Sequence, residues 1–316
     1  ARHVGHWAEV AGLRNVAVAG GVFANVHVNQ VVHELPNVDR LFVHPGMGDG
    51  GLAVGAALAA SVEGVADRRM AAHREQIGHV YLGPDLETTA VERALTEHGL
   101  DPEPLDDWED LADGVAALLA AGHVVARAAG RMEYGPRALG NRSILYQPTD
   151  PSVNDWLNAN LKRTEFMPFA PSVMWEERHR CFEGLSGADH AAQFMTVTFN
   201  CTDWMSDSMP GVVHIDGTAR PQLVRRETSA GYYAIIDAFH RRTGLPGIIN
   251  TSFNMHEEPI VCSADDCVRA FLAAKLDYLA IGPHLVKHPD QVARELRPVR
   301  TDPGLEGRTV ASRQVG

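Results

Sequence analysis

The first 65 residues alternate between short apolar runs and glycine-rich turns. Residues 15–19 (NVAVA) and residues 40–44 (RLFVH) have the apolar, β-branched character that predicts two short strands. A glycine-rich turn follows each of them, and a stretch of helical character comes next, at residues 24–35 and 52–62. Strand, turn and helix repeated in this order are typical of an α/β fold, in which helices cover a sheet.

The pattern changes at residues 66–85, where charged residues precede Gly83-Pro84. A charged stretch that ends in glycine and proline favours a domain boundary at this point. Beyond it, helical and strand patterns mix again, so we expect a second α/β unit. The predicted helices are residues 88–98, 111–121, 154–161, 228–241 and 264–274, and the predicted strands are residues 123–129, 143–146, 194–199, 247–250 and 278–281.

Composition narrows the class of protein. Of the 316 residues, 45% are apolar, which is enough for a buried core and excludes a disordered or collagen-like chain. There is no run of 18 apolar residues, so we expect no membrane helix. The four cysteines form no C-x-x-C pair, and we interpret them as reduced thiols of a cytoplasmic protein. A net charge of −12 argues against general binding to nucleic acid.

The loop at residues 130–143 (GRMEYGPRALGNRS) carries the densest chemical signal. It combines three glycines with three arginines within fourteen positions. Glycines let a backbone approach a ligand closely, and guanidinium groups bind phosphate oxygens in pairs. The combination therefore predicts a site for a polyanion, although a surface turn with solvated arginines is the alternative. The arginines are Arg131, Arg137 and Arg142.

Three later segments add candidate residues. Lys162 and Arg163 follow a predicted helix, where they serve either as phosphate ligands or as cations that suit the helix dipole. Arg220 comes after a turn signal at Asp216-Gly217. Asn250 and Ser252 stand at the end of a predicted strand, where α/β sheets bind ligands, or else they cap a turn.

The first segment offers weaker candidates. Gly20, Gly21 and Asn25 follow one predicted strand, and Asp49 lies among the glycines that follow the next. Neither turn ends in Gly-Lys-Ser/Thr, so neither is a nucleotide-binding P-loop of the common kind. Asp49 is either a ligand of a metal or an ordinary turn aspartate.

Six motifs occur in an order that resembles one family. The segments GGVFAN, HPGMGDGGLAVGAAL, EYGPRALGNRSIL, FMPFAPSV, HIDGTARPQ and INTSFNMHEEP are similar to those of O-carbamoyltransferases of the NodU/TobZ type. The resemblance implies an end portion of a ribonuclease-H-like lobe of the actin-like ATPase superfamily at residues 1–70. A linker at residues 71–85 and a YrdC-like α/β domain with a twisted mixed sheet at residues 86–316 follow.

The resemblance also implies an activity. Members of this family convert carbamoyl phosphate and ATP, accompanied by Mg²⁺, into carbamoyl adenylate, and then pass the carbamoyl group to a hydroxyl of a small molecule. Iron or a similar divalent metal assists that second step. On this basis phosphate would be bound by Arg137, Lys162 and Arg220. The reactants would be oriented by Asn250, Ser252 and Arg163. The nucleotide would be contacted by Gly20, Gly21 and Asn25, and the metal would be bound by Asp49.

Two departures from the family's pattern leave alternatives open. Met167 stands where some relatives have a basic residue, so either Arg163 replaces that contact or one contact is lost. The family's metal-binding histidines belong to a part of the first lobe that residues 1–65 do not include. We therefore expect either a separate N-terminal lobe or a homo-oligomer to complete the protein. The alternative function is a noncatalytic subunit that binds nucleotide.

Overall fold

The first part of the chain forms a small parallel α/β unit. The computed structural model describes residues 1–63, 77–103, 107–162, 169–290 and 295–302. Strand β1 (Asn15–Val18) pairs in parallel with β2 (Arg40–Val43). The unit's helices are α1 (Arg2–Ala11), α2 (Val26–His33) and α3 (Leu52–Glu63).

An eight-stranded mixed sheet organises the rest of the molecule. Its strand order is β3-β12-β11-β4-β5-β10-β6-β9, with parallel pairing only between β4 and β11 and between β6 and β9. The central strands are buried along their whole length, because elements pack on both faces. The strands are β3 (Pro102–Glu103), β4 (Val125–Ala128), β5 (Arg142–Tyr146), β6 (Ala170–Met174), β9 (Gln222–Val224), β10 (Gly247–Ser252), β11 (Tyr278–Ile281) and β12 (His284–Lys287), and a separate pair is formed by β7 (Phe199–Asn200) and β8 (Thr218–Ala219).

The helices of this second part place their apolar sides on the sheet. The first turn of α10 is fixed by a capping box, in which Ser263 and Asp266 exchange side-chain and backbone hydrogen bonds. Buried residues of α9 and α10 join the central core. The helices are α4 (Thr88–Glu97), α5 (Trp108–Ala120), α6 (Val153–Asn160), α7 (Arg178–Cys181), α8 (Asp203–Ser208), α9 (Ala230–Thr243) and α10 (Ala264–Ala274).

The two parts share one hydrophobic core. Leu41 and Val43 of β2 belong to the same buried cluster as the centre of the large sheet. Polar contacts reinforce this packing: Asn29 donates its Nδ2 to the carbonyl oxygen of Thr196 at 2.8 Å, and the hydroxyl of Thr198 donates to Oε1 of Gln30 at 2.7 Å. The turns that follow β1 and β2 are thereby held against the second part of the chain.

The α/β class predicted from the sequence is confirmed, including the mixed sheet. Element boundaries differ in places. The predicted helix at residues 24–35 begins at Val26, because the side chain of Asn25 caps it by accepting the N–H of Val28 at 3.1 Å. The predicted strand at residues 194–199 is wrong over most of its length, since Ala191–Phe194 forms a 3-10 turn and only Phe199 enters β7.

The predicted domain boundary remains a prediction. Residues 71–76 of the proposed linker lie outside the described residues. Its later part contacts the second part of the chain: Val80 is buried, and the hydroxyl of Tyr81 donates to the carbonyl oxygen of Leu139 at 2.9 Å. All four cysteines are free thiols, as predicted. None of the helices in the described part of the chain combines the length and apolar character needed to cross a membrane.

Candidate active site

The arginine-rich loop is organised by the carboxylate of Glu133, which is buried. Its Oε1 accepts the backbone N–H groups of Leu139 at 2.7 Å, Asn141 at 2.8 Å and Arg142 at 3.2 Å. A single carboxylate oxygen thus gathers the second half of the loop around itself. Charge-assisted hydrogen bonds of this kind are stronger than neutral ones, so the loop has a fixed shape rather than that of a solvated turn.

Two of the three arginines in the loop have structural roles. Arg142 is completely buried, and its guanidinium donates to the carbonyl oxygens of Ala129 at 3.1 Å and Asn141 at 2.8 Å. Arg131 donates to the carbonyl oxygens of Leu82 at 2.8 Å and Gly83 at 3.0 Å. Both side chains therefore hold backbone segments together. Of the three arginines in the loop, one remains a candidate phosphate ligand.

That arginine is Arg137. It is half-buried, and among the described residues its guanidinium makes a single hydrogen bond, from Nη2 to the carbonyl oxygen of Ala24 at 3.2 Å. Its Nε is buried without a partner, and no described carboxylate pairs with it. Burial lowers the pKa of Arg137, because a charged group loses hydration there. Such a cation has donors available for a bound anion.

Arg220, which follows the Asp216-Gly217 turn, lies close to Arg137. Burial, as the main cause, and the positive charge of Arg137, as a second one, together lower the pKa of Arg220 to about 9. Arg220 makes no hydrogen bond or ion pair with the part of the chain that the structure describes, and its Nε is buried without a partner. Two adjacent cations that lack a carboxylate repel each other, and a bound anion would remove that cost. The structure thus brings together two of the three predicted phosphate ligands.

Asn250 lies within β10, and its side chain contacts the same loop. Its Nδ2 has three acceptors, namely the carbonyl oxygen of Ala138 at 3.2 Å, Oγ of Ser172 at 3.1 Å and Oε1 of Gln222 at 3.0 Å. Its Oδ1 is buried with no partner among the described residues. Ser252 is half-buried and pairs with Ser143 at the end of the loop. Asn250 therefore supports the residue next to Arg137, and its contact with a ligand stays a prediction.

Lys162 lies in a different environment. It is exposed, lies two residues after the end of α6 and adopts a left-handed backbone conformation with φ 58°. The N–H of His256 donates to the carbonyl oxygen of the preceding Leu161 at 3.0 Å, which places Lys162 beside the turn that follows β10. No contact of Lys162 with Arg137 or Arg220 is recorded among the described residues. Arg163 lies outside the described residues.

The two turns of the first segment pack against the arginine-rich loop. Gly20 donates its N–H to the carbonyl oxygen of Met47 at 2.6 Å, which joins one turn to the other, and Gly21 begins the exposed turn that supplies the Ala24 carbonyl. A Cβ on Gly46 would lie 2.5 Å from the hydroxyl of Tyr134. Asn25 caps α2, so its Oδ1 is already committed.

The described residues do not form a complete metal site. Asp49 is exposed at the start of a short 3-10 turn. No group of three or more His, Cys, Asp or Glu side chains in the described ranges could hold a metal ion. One carboxylate is too few for a resident divalent metal, which takes at least three or four protein ligands or retained waters.

Several residues that shape this site have no direct signal in the sequence. Glu133, Ser172, Gln222 and Tyr134 fix the loop and Asn250, yet each is a common residue in an unremarkable local pattern. The one available hint is an acidic side chain inside a loop otherwise rich in arginine.

Fold and site together define an α/β protein in which two separated loops bring Arg137 and Arg220 close together. The profile described as Carbamoyltransferase C-terminus matches residues 116–288, which is more than half of the chain. The profile described as Carbamoyltransferase N-terminus matches residues 4–58. The chain therefore belongs to the carbamoyltransferase family.

Known proteins show the same relationship. The chain is 39% identical to the nodulation protein NolNO of Sinorhizobium fredii over 284 residues, which cover 89% of this chain and 41% of that protein. It is 38% identical to the nodulation protein NolO of Bradyrhizobium diazoefficiens over 286 residues, covering 89% and 51%. The chain thus spans about two-fifths to one-half of the length of these relatives. A solved structure of full-length HypF in its phosphate- and nucleotide-bound form is 17% identical with a TM-score of 0.40, and it covers 64% of this chain and 23% of HypF.

Proposed function

We propose that the protein catalyses ATP-dependent O-carbamoyl transfer, as an enzyme of the carbamoyltransferase type. In this proposal water first cleaves carbamoyl phosphate to carbamate and phosphate. A carbamate oxygen then attacks the α-phosphate of ATP, which forms carbamoyl adenylate and releases pyrophosphate. The carbamoyl group finally passes to a hydroxyl of a small molecule, and AMP and the hydroxyl proton leave. The observation that carries the proposal is the pair Arg137 and Arg220. These are two half-buried cations from separate loops, and no carboxylate of the described residues forms an ion pair with either of them. Membership of the carbamoyltransferase family supplies the reaction type.

The main physical difficulty of such a reaction is electrostatic. The carbamate anion must approach the α-phosphate of a triphosphate, so several negative charges meet in one place. Preorganised cations stabilise the charge that develops in the transition state, and one such donor contributes roughly 2.7–4 kcal/mol. The fixed shape of the loop around Glu133 means that Arg137 needs little reorganisation when the reactants bind.

The other candidate residues have proposed roles around this pair. Lys162 and Arg163 would bind the outer phosphates, with Mg²⁺ as the companion of ATP. The unpartnered Oδ1 of Asn250 would accept the N–H₂ of the carbamoyl group, with Ser252 beside it. Gly20, Gly21 and the backbone near Asn25 would contact the nucleotide. An iron-type metal would need ligands in addition to Asp49. The compartment that we propose for the protein is the cytoplasm.

The first half-reaction can be tested directly. We expect the wild-type chain to catalyse exchange of labelled pyrophosphate into ATP that depends on carbamoyl phosphate. Arg137→Ala and Arg220→Ala should each reduce the exchange rate by about 100-fold or more, the effect of losing one preorganised donor. Arg93→Ala is the matched control. Arg93 is an exposed arginine on α4, and no candidate residue is near it along the chain. Exchange that is unchanged in both site variants would exclude them from the active site.

A second candidate function is that of a nucleotide-binding subunit that needs a partner. The exposed apolar surface of the first segment favours it. Trp7, Val10 and Leu13 in and after α1 are more than half exposed, as are Leu52 and Leu58 of α3. Exposed apolar side chains in such number are typical of an interface. The relatives are about twice as long as this chain, so we propose that a further N-terminal lobe or a second copy covers this surface.

The two functions differ in a simple experiment. A nucleotide-binding subunit that needs a partner would bind ATP and carbamoyl phosphate by calorimetry without releasing pyrophosphate. An enzyme competent for the first half-reaction would release it. Release that appears only when an N-terminal lobe of a relative is added would identify the missing partner and retain the proposed activity.

A further inference from the structure

A cavity is lined by residues from both ends of the arginine-rich loop, and neither Arg137 nor Arg220 lines it. Its volume is about 700 Å³, which is within the size range of pockets for organic ligands. It is lined by Gly130, Arg131 and Asn141 of the loop, by Arg127 of β4, by Tyr81, and by residues 228–231, where α9 begins.

Arg127 is the first observation that points to a ligand. Only 5% of this residue is exposed, yet its side chain lines the cavity. Nη1 donates to the carbonyl oxygen of Gly140 and to Oδ1 of Asn141, and the guanidinium lies 5.5 Å from the ring centroid of Tyr232. Nε and Nη2 have no acceptor among the described residues, and no described carboxylate lies within 4.0 Å of the guanidinium.

The start of α9 is the second observation. Ser229 occupies the N-cap position, but its side chain accepts none of the N–H groups of the first turn. No described residue accepts the N–H groups of Ala230, Gly231 and Tyr232. A fourteen-residue helix places a partial positive charge at this point, and free N–H groups at a helix start bind anions.

These two features face each other. A Cβ built on Gly231 would lie 3.5 Å from Nη2 of Arg127, so the unoccupied side of the guanidinium lies against the first turn of the helix. Arg131 adds a second positive charge to the lining, whereas Glu109 contributes an exposed carboxylate. Glu133 is the buried carboxylate near Arg127, but its Oε1 is held by three backbone N–H groups.

We propose that this cavity binds a small organic anion, whose carboxylate or phosphate lies between Nη2 of Arg127 and the N–H groups that begin α9. The body of the ligand would contact apolar and aromatic surface. Ala129, Ala234 and Tyr81 line the cavity, and the rings of Tyr81 and His79 stack at 6.1 Å. The ligand class is therefore a planar or apolar molecule that carries one anionic group. Because Arg127 also holds Gly140 and Asn141, the site is joined to the loop that presents Arg137.

The test uses two substitutions at one exposed position. Ala230→Asp puts a carboxylate at the start of α9, where it suits the helix dipole but repels an incoming anion. Ala230→Asn has nearly the same shape without the charge and serves as the matched control. We expect benzoate and phenyl phosphate to bind the wild-type protein in calorimetry, Ala230→Asn to retain their affinity, and Ala230→Asp to weaken it by at least about tenfold. Binding of only one of the two probes would assign the group as carboxylate or phosphate.

Three results would overturn the proposal: no binding of either anion at millimolar concentration, equal binding of uncharged benzamide, or equal affinities of Ala230→Asp and Ala230→Asn. Arg127→Met is a supporting variant only, because it also removes the donor to Gly140. Arg93→Ala should leave the affinity for phenyl phosphate unchanged, since Arg93 is an exposed arginine that does not line the cavity. Failure of this proposal is therefore separate from failure of the pyrophosphate-exchange experiment.

Discussion

Replacing Glu133 tests how much of the candidate active site depends on one carboxylate. In Glu133→Ala the buried N–H groups of Leu139, Asn141 and Arg142 lose their acceptor. Each buried donor left unpaired costs about 1–3 kcal/mol, so the three together would cost roughly 3–9 kcal/mol if water did not replace the carboxylate. Since whole domains have a free energy of unfolding of about 5–15 kcal/mol, we expect this variant to be severely destabilised.

Glu133→Gln separates the charge of the side chain from its acceptor. The amide oxygen can still accept three N–H groups, but neutral hydrogen bonds are weaker than charged ones by about 1 kcal/mol each, so we expect a loss of about 1–3 kcal/mol. Glu183→Ala, at an exposed glutamate, should change the free energy of unfolding by less than about 0.5 kcal/mol. Urea denaturation followed by circular dichroism measures all three variants. If Glu133→Ala were as stable as Glu183→Ala, the loop would not depend on this carboxylate, and our account of how Arg137 is positioned would be wrong.

Three further predictions concern the same region. Gly140→Ala should lower the free energy of unfolding by about 2 kcal/mol more than Gly20→Ala, because both glycines have φ 111° but only at Gly140 would the Cβ clash with the Tyr232 ring; equal losses in urea denaturation would refute the clash. The hydrogen bonds from Thr218 lower the pKa of Asp216, so its stabilisation is complete above pH 3.8 and is lost as the pH falls through its lower folded pKa. The melting temperature of Asp216→Asn should therefore depend less on pH in that acidic range, and an unchanged profile would contradict this. Asp49→Ala should leave pyrophosphate exchange unchanged, because Asp49 is exposed and makes no contact with Arg137 or Arg220 among the described residues; a large loss of exchange would place it in the first half-reaction.

Much of the fold could be predicted from the sequence because its local signals agree. The two strand–turn–helix units of the first segment are marked by apolar runs and glycines, and β5, β10 and β11 lie at or near predicted strands. The order of strands in the large sheet could not be predicted, because its central strands are buried on both faces and so lack the alternation that reveals a partner face.

The candidate site was predictable only in part. The sequence indicated Arg137 and Arg220, and the structure brings them together. It did not distinguish Arg137 from Arg142, since an arginine that binds a phosphate and one that binds carbonyl oxygens look identical in a sequence. Which of these occurs depends on the backbone that folds around the guanidinium, and that is decided by distant segments such as Cys262 and Ala24.

The contact between Gly46 and Tyr134 has a consequence for the evolution of this protein. A Cβ on Gly135 would lie 2.7 Å from the carbonyl oxygen of Pro45, so neither side of the contact tolerates even a methyl group without movement. Recombination that exchanged the first segment for one from a distant homologue would have to preserve these small residues together with the tyrosine. We therefore expect functional fusions of this kind to retain Gly46, Tyr134 and Gly135 together.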